Sequence, residues 1–280
     1  MNRERLFRDT DWTGQPFRPE TKGVLVRGNQ GNILTTVFLP GGQGPHPTVI
    51  FCHGIPGVER LLEFGSALRQ IGFASVHFHY AGSWGSPGSY SLTSCMNDAD
   101  AIVRYIAENE NDWFDSGKVG LVGHSLGGMI AAHAISSHSM IKAGVFITPA
   151  QYTYKYEQAI ADPGREAAFR RSYDSFGDWV KDFGWDVLKA EISASPDRFR
   201  FSSYGKALAK KPILAVAATM DEDVTKEQNY DELVKAIEAE HPAVLEKLIL
   251  PTNHALCDQR NRLKEALADF FLTHLTETAD

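Results

Sequence analysis

The sequence predicts an α/β fold: a mostly parallel, twisted central sheet with helices on both faces, carrying an inserted helical cap. That expectation rests on three features. From residue 48 onward, short apolar β-branched runs alternate with stretches of helical period, the pattern of parallel strands joined by crossover helices. One of these units, Lys118 to Ile135, reads as a buried strand, a sharp Gly123-His124-Ser125-Leu126-Gly127 turn and a helix. The alternation stops at Pro149 and resumes at Pro212. The intervening residues 150–211 hold twelve of the chain's 30 aromatic residues, which suits helices covering the carboxyl edge of the sheet. Residues 1–149 and 212–280 are thus expected to form one core, and 150–211 the cap.

Composition narrows the function classes. The chain has 280 residues, 43% hydrophobic and 22% charged, with a formal net charge of −7 and a pI near 5.8. This is ordinary for a soluble globular protein, and no basic block favours a nucleic-acid partner. The start, Met1 to Thr10, is charged, and no run of 18 apolar residues occurs, so neither a signal peptide nor a membrane span is expected. Cys52, Cys95 and Cys257 are odd in number and form no C-x-x-C pair. No disulfide framework or zinc site is expected, and a reducing cytoplasm is the simplest home.

Taken in order, residues 1–20 are a polar lead-in with prolines at 16 and 19. Lys22–Val26 and Ile33–Leu39 are strands of a hairpin turning at Gly28-Asn-Gln-Gly31, an antiparallel start to the sheet. Thr48–Cys52 is a buried strand running into His53-Gly-Ile-Pro-Gly57. Glycine there lets the chain fold back and aim a backbone N–H, that of Ile55, into a site. His53 precedes the serine in the chain and reads as a structural hydrogen-bonding residue. Val58–Ile71 has helical period and stops at Gly72. Phe73–Tyr80 is the next strand. His77 and His79 share one of its faces, but without a carboxylate neighbour in the strand they are not expected to hold a metal. Ala81–Ser89 is a glycine-serine loop suited to a pocket edge, and Thr93–Asn109 is helical, with Asp98 and Asp100 expected in solvated or capping roles.

The Lys118–Val122 strand then delivers Ser125. Glycines two before and two after it remove Cβ atoms that would collide in such a tight turn. The serine Oγ is thereby held beside a helix N-terminus, where the Leu126 N–H can pair with that of Ile55 to stabilise an oxyanion. His133 and His138 follow on the helix and are not expected to be catalytic. Ala143–Thr148 is a strand. In the cap, helices are expected at 156–161, 164–175 and 177–191, with most aromatics forming the cap's own core. The segment carries a net +2 against −9 for the rest of the chain. Pro212–Ala218 is a strongly apolar strand ending in Thr219-Met-Asp-Glu-Asp223, so Asp221, or Asp223 as the alternative, is the acid that could orient an imidazole. A helix over 226–240 and a strand over 243–250 lead to Pro251-Thr-Asn-His254. His254 has the side chain whose proton moves near neutral pH. Asn261–Leu272 closes the chain as an amphipathic helix.

Ser125, then Asp221, then His254, together with His53-Gly-Ile-Pro-Gly57, resemble the α/β-hydrolase superfamily over residues 22–275. Within it, the chain is similar to serine esterases and the serine-aminopeptidase-like group that carries a helical cap. The Tyr80–Gly88 loop shares in the resemblance, although many members have arginine where this chain has Ala81. The H-G-x-P pattern also occurs in epoxide hydrolases and haloalkane dehalogenases, but those use an aspartate nucleophile where this chain has Ser125. The resemblance implies hydrolysis of a small-molecule ester by a Ser125–His254–Asp221 triad, with oxyanion donors at Ile55 and Leu126 and neither metal nor organic cofactor. The same site could serve a peptidase, a thioesterase or a C–C bond hydrolase. A ligand-binding protein or an interaction protein on this fold are rival classes, and a homodimer through an edge strand or the cap stays open.

Overall fold

A computed structural model describes residues 1–109 and 112–276. Residues 277–280, the end of the expected core span, lie outside it. Eight strands form one sheet: β1 (Glu20–Gly28), β2 (Gly31–Leu39), β3 (His46–Cys52), β4 (Ala74–Phe78), β5 (Phe114–His124), β6 (Ile141–Ile147), β7 (Ile213–Ala218) and β8 (Leu245–Leu250). Their order is β1-β2-β4-β3-β5-β6-β7-β8. The β1–β2 hairpin closes with Gly28 opposite Gly31, and β2 is antiparallel to both neighbours. From β4 to β8 every pairing is parallel. The carboxyl ends of β3, β5, β7 and β8 therefore share one edge, where side chains from loops distant in sequence meet.

The central strands are apolar on both sides because helices cover both faces. Val49, Phe51, Val122, Val145, Ile147, Leu214 and Val216 pack against α1 (Leu62–Ile71) and α9 (Arg260–Thr276). The alternate residues Ile50, Cys52, Leu121 and Phe146 face α2 (Leu92–Glu108) and α3 (Leu126–Ser137). Among the described residues, no helix is long and apolar enough to cross a membrane.

The inserted helical cap follows β6. It comprises α4 (Thr153–Ala161), α5 (Pro163–Asp174), α6 (Trp185–Ala194) and the single turn α7 (Gly205–Leu208). Tyr152, Tyr173, Phe183, Trp185, Phe199 and Phe201 are buried and continue one of the two main cores, so the cap is packed onto the sheet layer. Hydrogen bonds help hold it there. The Glu191 carboxylate accepts from Leu92 N and Thr93 N at 2.9 and 2.8 Å, satisfying N–H groups at the start of α2. Ser83 and Val180 form a β-bridge. Lys181 N donates to Gly82 O at 2.8 Å, and Tyr90 N to Lys181 O at 2.9 Å. Helix α8 (Tyr230–Glu238) lies between β7 and β8 in the chain.

Several expectations need correction. The third cap helix begins at Trp185, not at 177, because Asp182 sits at φ 60° and the Asp174 carboxylate caps Trp185 N at 2.8 Å. Helix α1 begins at Leu62 rather than Val58, since Leu61 has φ 58° and its N–H is taken by the Glu59 carboxylate. Asp98 and Asp100 are not merely solvated. Asp98 is buried and accepts from Ala81 N at 2.6 Å. Burial raises its carboxyl to about 6, against the lowering effect of that N–H. Asp100 accepts from His133 and His138 at 3.2 and 2.7 Å. Burial pushes its carboxyl up, and the two histidines outweigh this and hold it well below the usual range.

Candidate active site

Ser125 stands between β5 and α3 with φ 55° and ψ −123°, a conformation that L side chains rarely adopt. Three backbone bonds hold it. Ser125 N donates to Ile147 O at 3.1 Å, and Ser125 O accepts from Gly128 N at 2.9 Å and Ala150 N at 2.8 Å. A Cβ at Gly123 would strike the Gly127 carbonyl, and one at Gly127 would strike that of Cys52, so both glycines are sterically required. The turn thus stores strain that close packing of β5, α3 and the β3 loop keeps in place.

The His53–Gly57 loop leaves β3 and lies against this turn: a Cβ at Gly54 would stand 2.8 Å from Ser125 Cβ. Ile55 follows Gly54, and Leu126 opens α3, where first-turn N–H groups have no partner within the helix. Two side chains hold the loop. Tyr80 OH donates to His53 O at 3.2 Å, and Trp84 Nε1 donates to Pro56 O at 2.6 Å. His53 is buried, and its Nδ1 donates to Gly54 O at 2.6 Å. Burial pushes its imidazole down to about 3, so it stays neutral, which suits the structural part expected of it.

Asp221 and His254 meet at the same edge. His254 Nδ1 donates to Asp221 Oδ2 at 2.6 Å, and the Asp221 side chain is 1% exposed. The other carboxylate oxygen accepts from Asp223 N at 3.0 Å and Val224 N at 2.8 Å. Of the two candidate acids, Asp221 is the one that meets His254. The Asp223 side chain is exposed, and its backbone N–H supports Asp221. Among the described residues, no hydrogen bond joins Ser125 Oγ to His254. The two are linked through His124, whose ring lies 5.0 Å from that of His254 and whose Nε2 donates to His254 O at 3.2 Å. Thr148 Oγ1 donates to the same carbonyl at 3.2 Å. Burial lowers the His124 imidazole to about 3. It remains neutral and adds no charge beside His254.

His77 and His79 lie away from this pair. His77 stacks on Phe51 at 4.4 Å and reaches Arg60 O, while His79 Nε2 meets Arg60 Nη1 at 3.0 Å. Among the described residues, no group of three or more His, Cys, Asp or Glu could hold a metal ion. A cavity of about 490 Å³ opens between the cap and α8, lined by Tyr154, Glu157, Arg200 and Glu232 among others; neither Ser125 nor His254 lines it. The support residues His124, Thr148, Tyr80 and Trp84 had no assigned part in the sequence reading. His124 carried a local signal in its place immediately before the serine, as did Trp84 in the glycine-serine loop expected at a pocket edge and Tyr80 just before that loop.

Comparison with known proteins agrees with this architecture. A family model described as the alpha/beta hydrolase family matches residues 49–270, well over half of the chain. Among curated proteins, an uncharacterized 31.7 kDa protein of Escherichia coli is 32% identical over 113 residues, 39% of this chain and 40% of that protein. A peroxisomal succinyl-coenzyme A thioesterase of Mus musculus is 28% identical over 150 residues, 52% of this chain and 34% of that protein. These matches thus span well under half the length of either relative. Among solved structures, an esterase of Pyrococcus furiosus superposes with a TM-score of 0.69 at 19% identity, covering 95% of this chain and 96% of that one. At that identity the likeness speaks for the fold alone. The family match and the serine-bearing turn at the carboxyl edge of a mostly parallel sheet lead to one conclusion: the chain belongs to the alpha/beta hydrolase family.

Proposed function

We propose that the chain is a serine hydrolase cleaving a carboxylic ester through an acyl-enzyme, with residues 1–149 and 212–280 as its core domain and 150–211 as its cap. The observation that carries this reading is the 2.6 Å bond between His254 Nδ1 and the buried Asp221 carboxylate. It leaves Nε2 as the basic nitrogen on the strand edge that also bears Ser125.

His254 Nε2 takes the Ser125 Oγ proton as Oγ adds to the ester carbonyl. The Asp221 carboxylate orients and stabilises the imidazolium. The N–H groups of Ile55 and Leu126 receive the oxyanion, and losing one such donor costs about 3–4 kcal/mol of transition-state stabilisation. The tetrahedral species collapses as His254 protonates the leaving alcohol. Water then attacks the acyl-enzyme, giving a proton to His254, which passes it to Ser125 Oγ as the C–Oγ bond breaks and the carboxylic acid departs. Every step uses side chains and N–H groups of this chain. A thioester is the second substrate class, favoured by the name of the mouse relative. The same steps would then expel a thiol.

The test is turnover of p-nitrophenyl esters of increasing acyl length and of acyl-coenzyme A thioesters, by the wild type and Ser125→Ala. Ester turnover by the wild type alone is the expected result. Turnover that survives Ser125→Ala overturns the assignment. Fluorophosphonate labelling of Ser125 without ester turnover would redirect it to thioester, amide or C–C substrates. Neither turnover nor labelling would favour a binding protein.

A further inference from the structure

The Ala81–Ser89 loop presents a feature that the proposed chemistry does not use. Trp84 sits at φ 48°, a conformation that a bulky residue keeps only where its surroundings impose it. Here they do. Ser83 N and Ser83 Oγ both donate to Tyr80 O, at 3.1 and 2.7 Å, and Ser86 N closes the turn on Ser83 O at 2.9 Å. The strained turn holds the Trp84 indole outward, 40% exposed. Trp179, carried from the cap by the Ser83–Val180 bridge, lies against it with ring centroids 5.8 Å apart and planes 42° apart, and is 53% exposed. Other cap aromatics, such as Tyr173, Trp185, Phe199 and Phe201, are buried. Two large rings from separate segments, left together in water, form an apolar surface that burial has not claimed.

The pair is joined to the candidate site. Trp84 Nε1 bonds Pro56 O, and Gly54, two residues earlier, packs on Ser125. Two residues span at most about 7 Å of chain. The Trp84 indole thus borders the loop that packs on Ser125, and a ring on this surface would be joined to a carbonyl at Ser125 by a linker crossing Gly54–Pro56. Indole faces favour a flat aromatic partner over a saturated ring of similar size, through offset and edge-to-face packing.

We propose that Trp84 and Trp179 are the aromatic subsite of the candidate active site and select substrates that bear an aryl group on a short linker from the scissile carbonyl. This inference rests on the hydrolase reading and deepens it by naming a substrate class. Trp84 also holds the loop bearing Ile55, so Trp179 is the cleaner probe.

The experiment has a binding arm and a turnover arm. In the first, 3-phenylpropanoate and 2-phenylethanol, each beside its cyclohexyl counterpart, are titrated calorimetrically into Ser125→Ala and into Ser125→Ala/Trp179→Ala. In one of the two pairs the phenyl ligand is expected to bind about fivefold tighter than the cyclohexyl one, and the ratio to fall to about one without Trp179. In the second arm, kcat/KM is measured for methyl 3-phenylpropanoate and 2-phenylethyl acetate against their cyclohexyl analogues. Trp179→Ala should erase the aryl preference through KM, and the pair affected tells whether the ring belongs to the acyl or the alcohol part. Trp84→Phe keeps a ring but loses the N–H to Pro56, so a kcat fall common to both members of a pair would report the loop rather than the subsite. Equal binding of phenyl and cyclohexyl ligands, or a preference that survives Trp179→Ala, overturns the subsite. Aryl-selective binding that depends on Trp179, with no hydrolysis of any ester, would sink the hydrolase reading and leave the subsite standing.

Discussion

His124 Nε2 donates to the backbone carbonyl of His254 at 3.2 Å, and the two imidazole rings lie 5.0 Å apart. The residue before the candidate nucleophile thus fixes the loop that bears the candidate base. Because burial keeps His124 neutral, it holds that loop without opposing an imidazolium at His254.

Replacing His124 by Phe keeps a ring of similar shape and removes the donor. A neutral hydrogen bond contributes about 1 kcal/mol, so ester kcat should fall about fivefold to tenfold with little change in KM. His124→Gln, which can still donate, should recover part of that loss. Steady-state kinetics on a p-nitrophenyl ester would check this, and an undiminished kcat in His124→Phe would remove His124 from the positioning role.

The two carboxylates should separate cleanly. Asp221→Asn keeps an oxygen for the Asp223 and Val224 N–H groups but can no longer accept from His254 Nδ1 in the right tautomer. Its kcat should drop about 10³- to 10⁴-fold with the fold retained. Asp223→Asn should stay within about twofold of wild type. The reverse ranking would move the acid to Asp223.

Glu191 is a polar anchor of the cap on α2. Glu191→Ala leaves Leu92 N and Thr93 N to find water, at a cost of about 2 kcal/mol, and Tm should fall by about 4–8 °C. Glu191→Gln, with one acceptor left, should fall less. A melting curve identical to wild type would mean that aromatic packing and the backbone bonds of Lys181 keep the cap docked without Glu191.

Stability should decline in mild acid. Burial depresses His53, His77 and His124 to about 3 and His79 to about 4 in the folded chain, from an ordinary 6.5. Groups with lowered folded values contribute stability that is present above pH 6.5 and lost as pH falls toward 4, because the unfolded chain binds the extra protons. Each such proton steepens the loss by about 1.4 kcal/mol per pH unit. Asp98 acts in the opposite sense between pH 4 and 6, since its folded value is raised, and offsets one of the four. Urea melts at pH 7.5, 6.0 and 5.0 should therefore show falling midpoints. A midpoint that holds or rises toward pH 5 would contradict neutral, buried histidines.

The strand–helix alternation, the serine turn and the aromatic insertion were legible in the chain because each is written in local period and local glycine. The helix boundaries at Leu62 and Trp185 were not, since they depend on Leu61 and Asp182 adopting left-handed backbone and on carboxylates of Glu59 and Asp174 capping nearby N–H groups. Asp98 likewise looked like a helix-surface acid until the Ala81–Ser89 loop was folded onto it.

By itself the sequence determined the layered α/β architecture and the strand ends that bear Ser125, Asp221 and His254, because burial on two faces and turn sterics act over a few neighbouring residues. Only the tertiary structure decided that Asp221 rather than Asp223 meets His254, that His124 holds the His254 carbonyl, and that Trp84 and Trp179 meet at the surface. Each of these joins residues far apart in the chain, and their directions follow from strand order and loop packing, which no local pattern encodes.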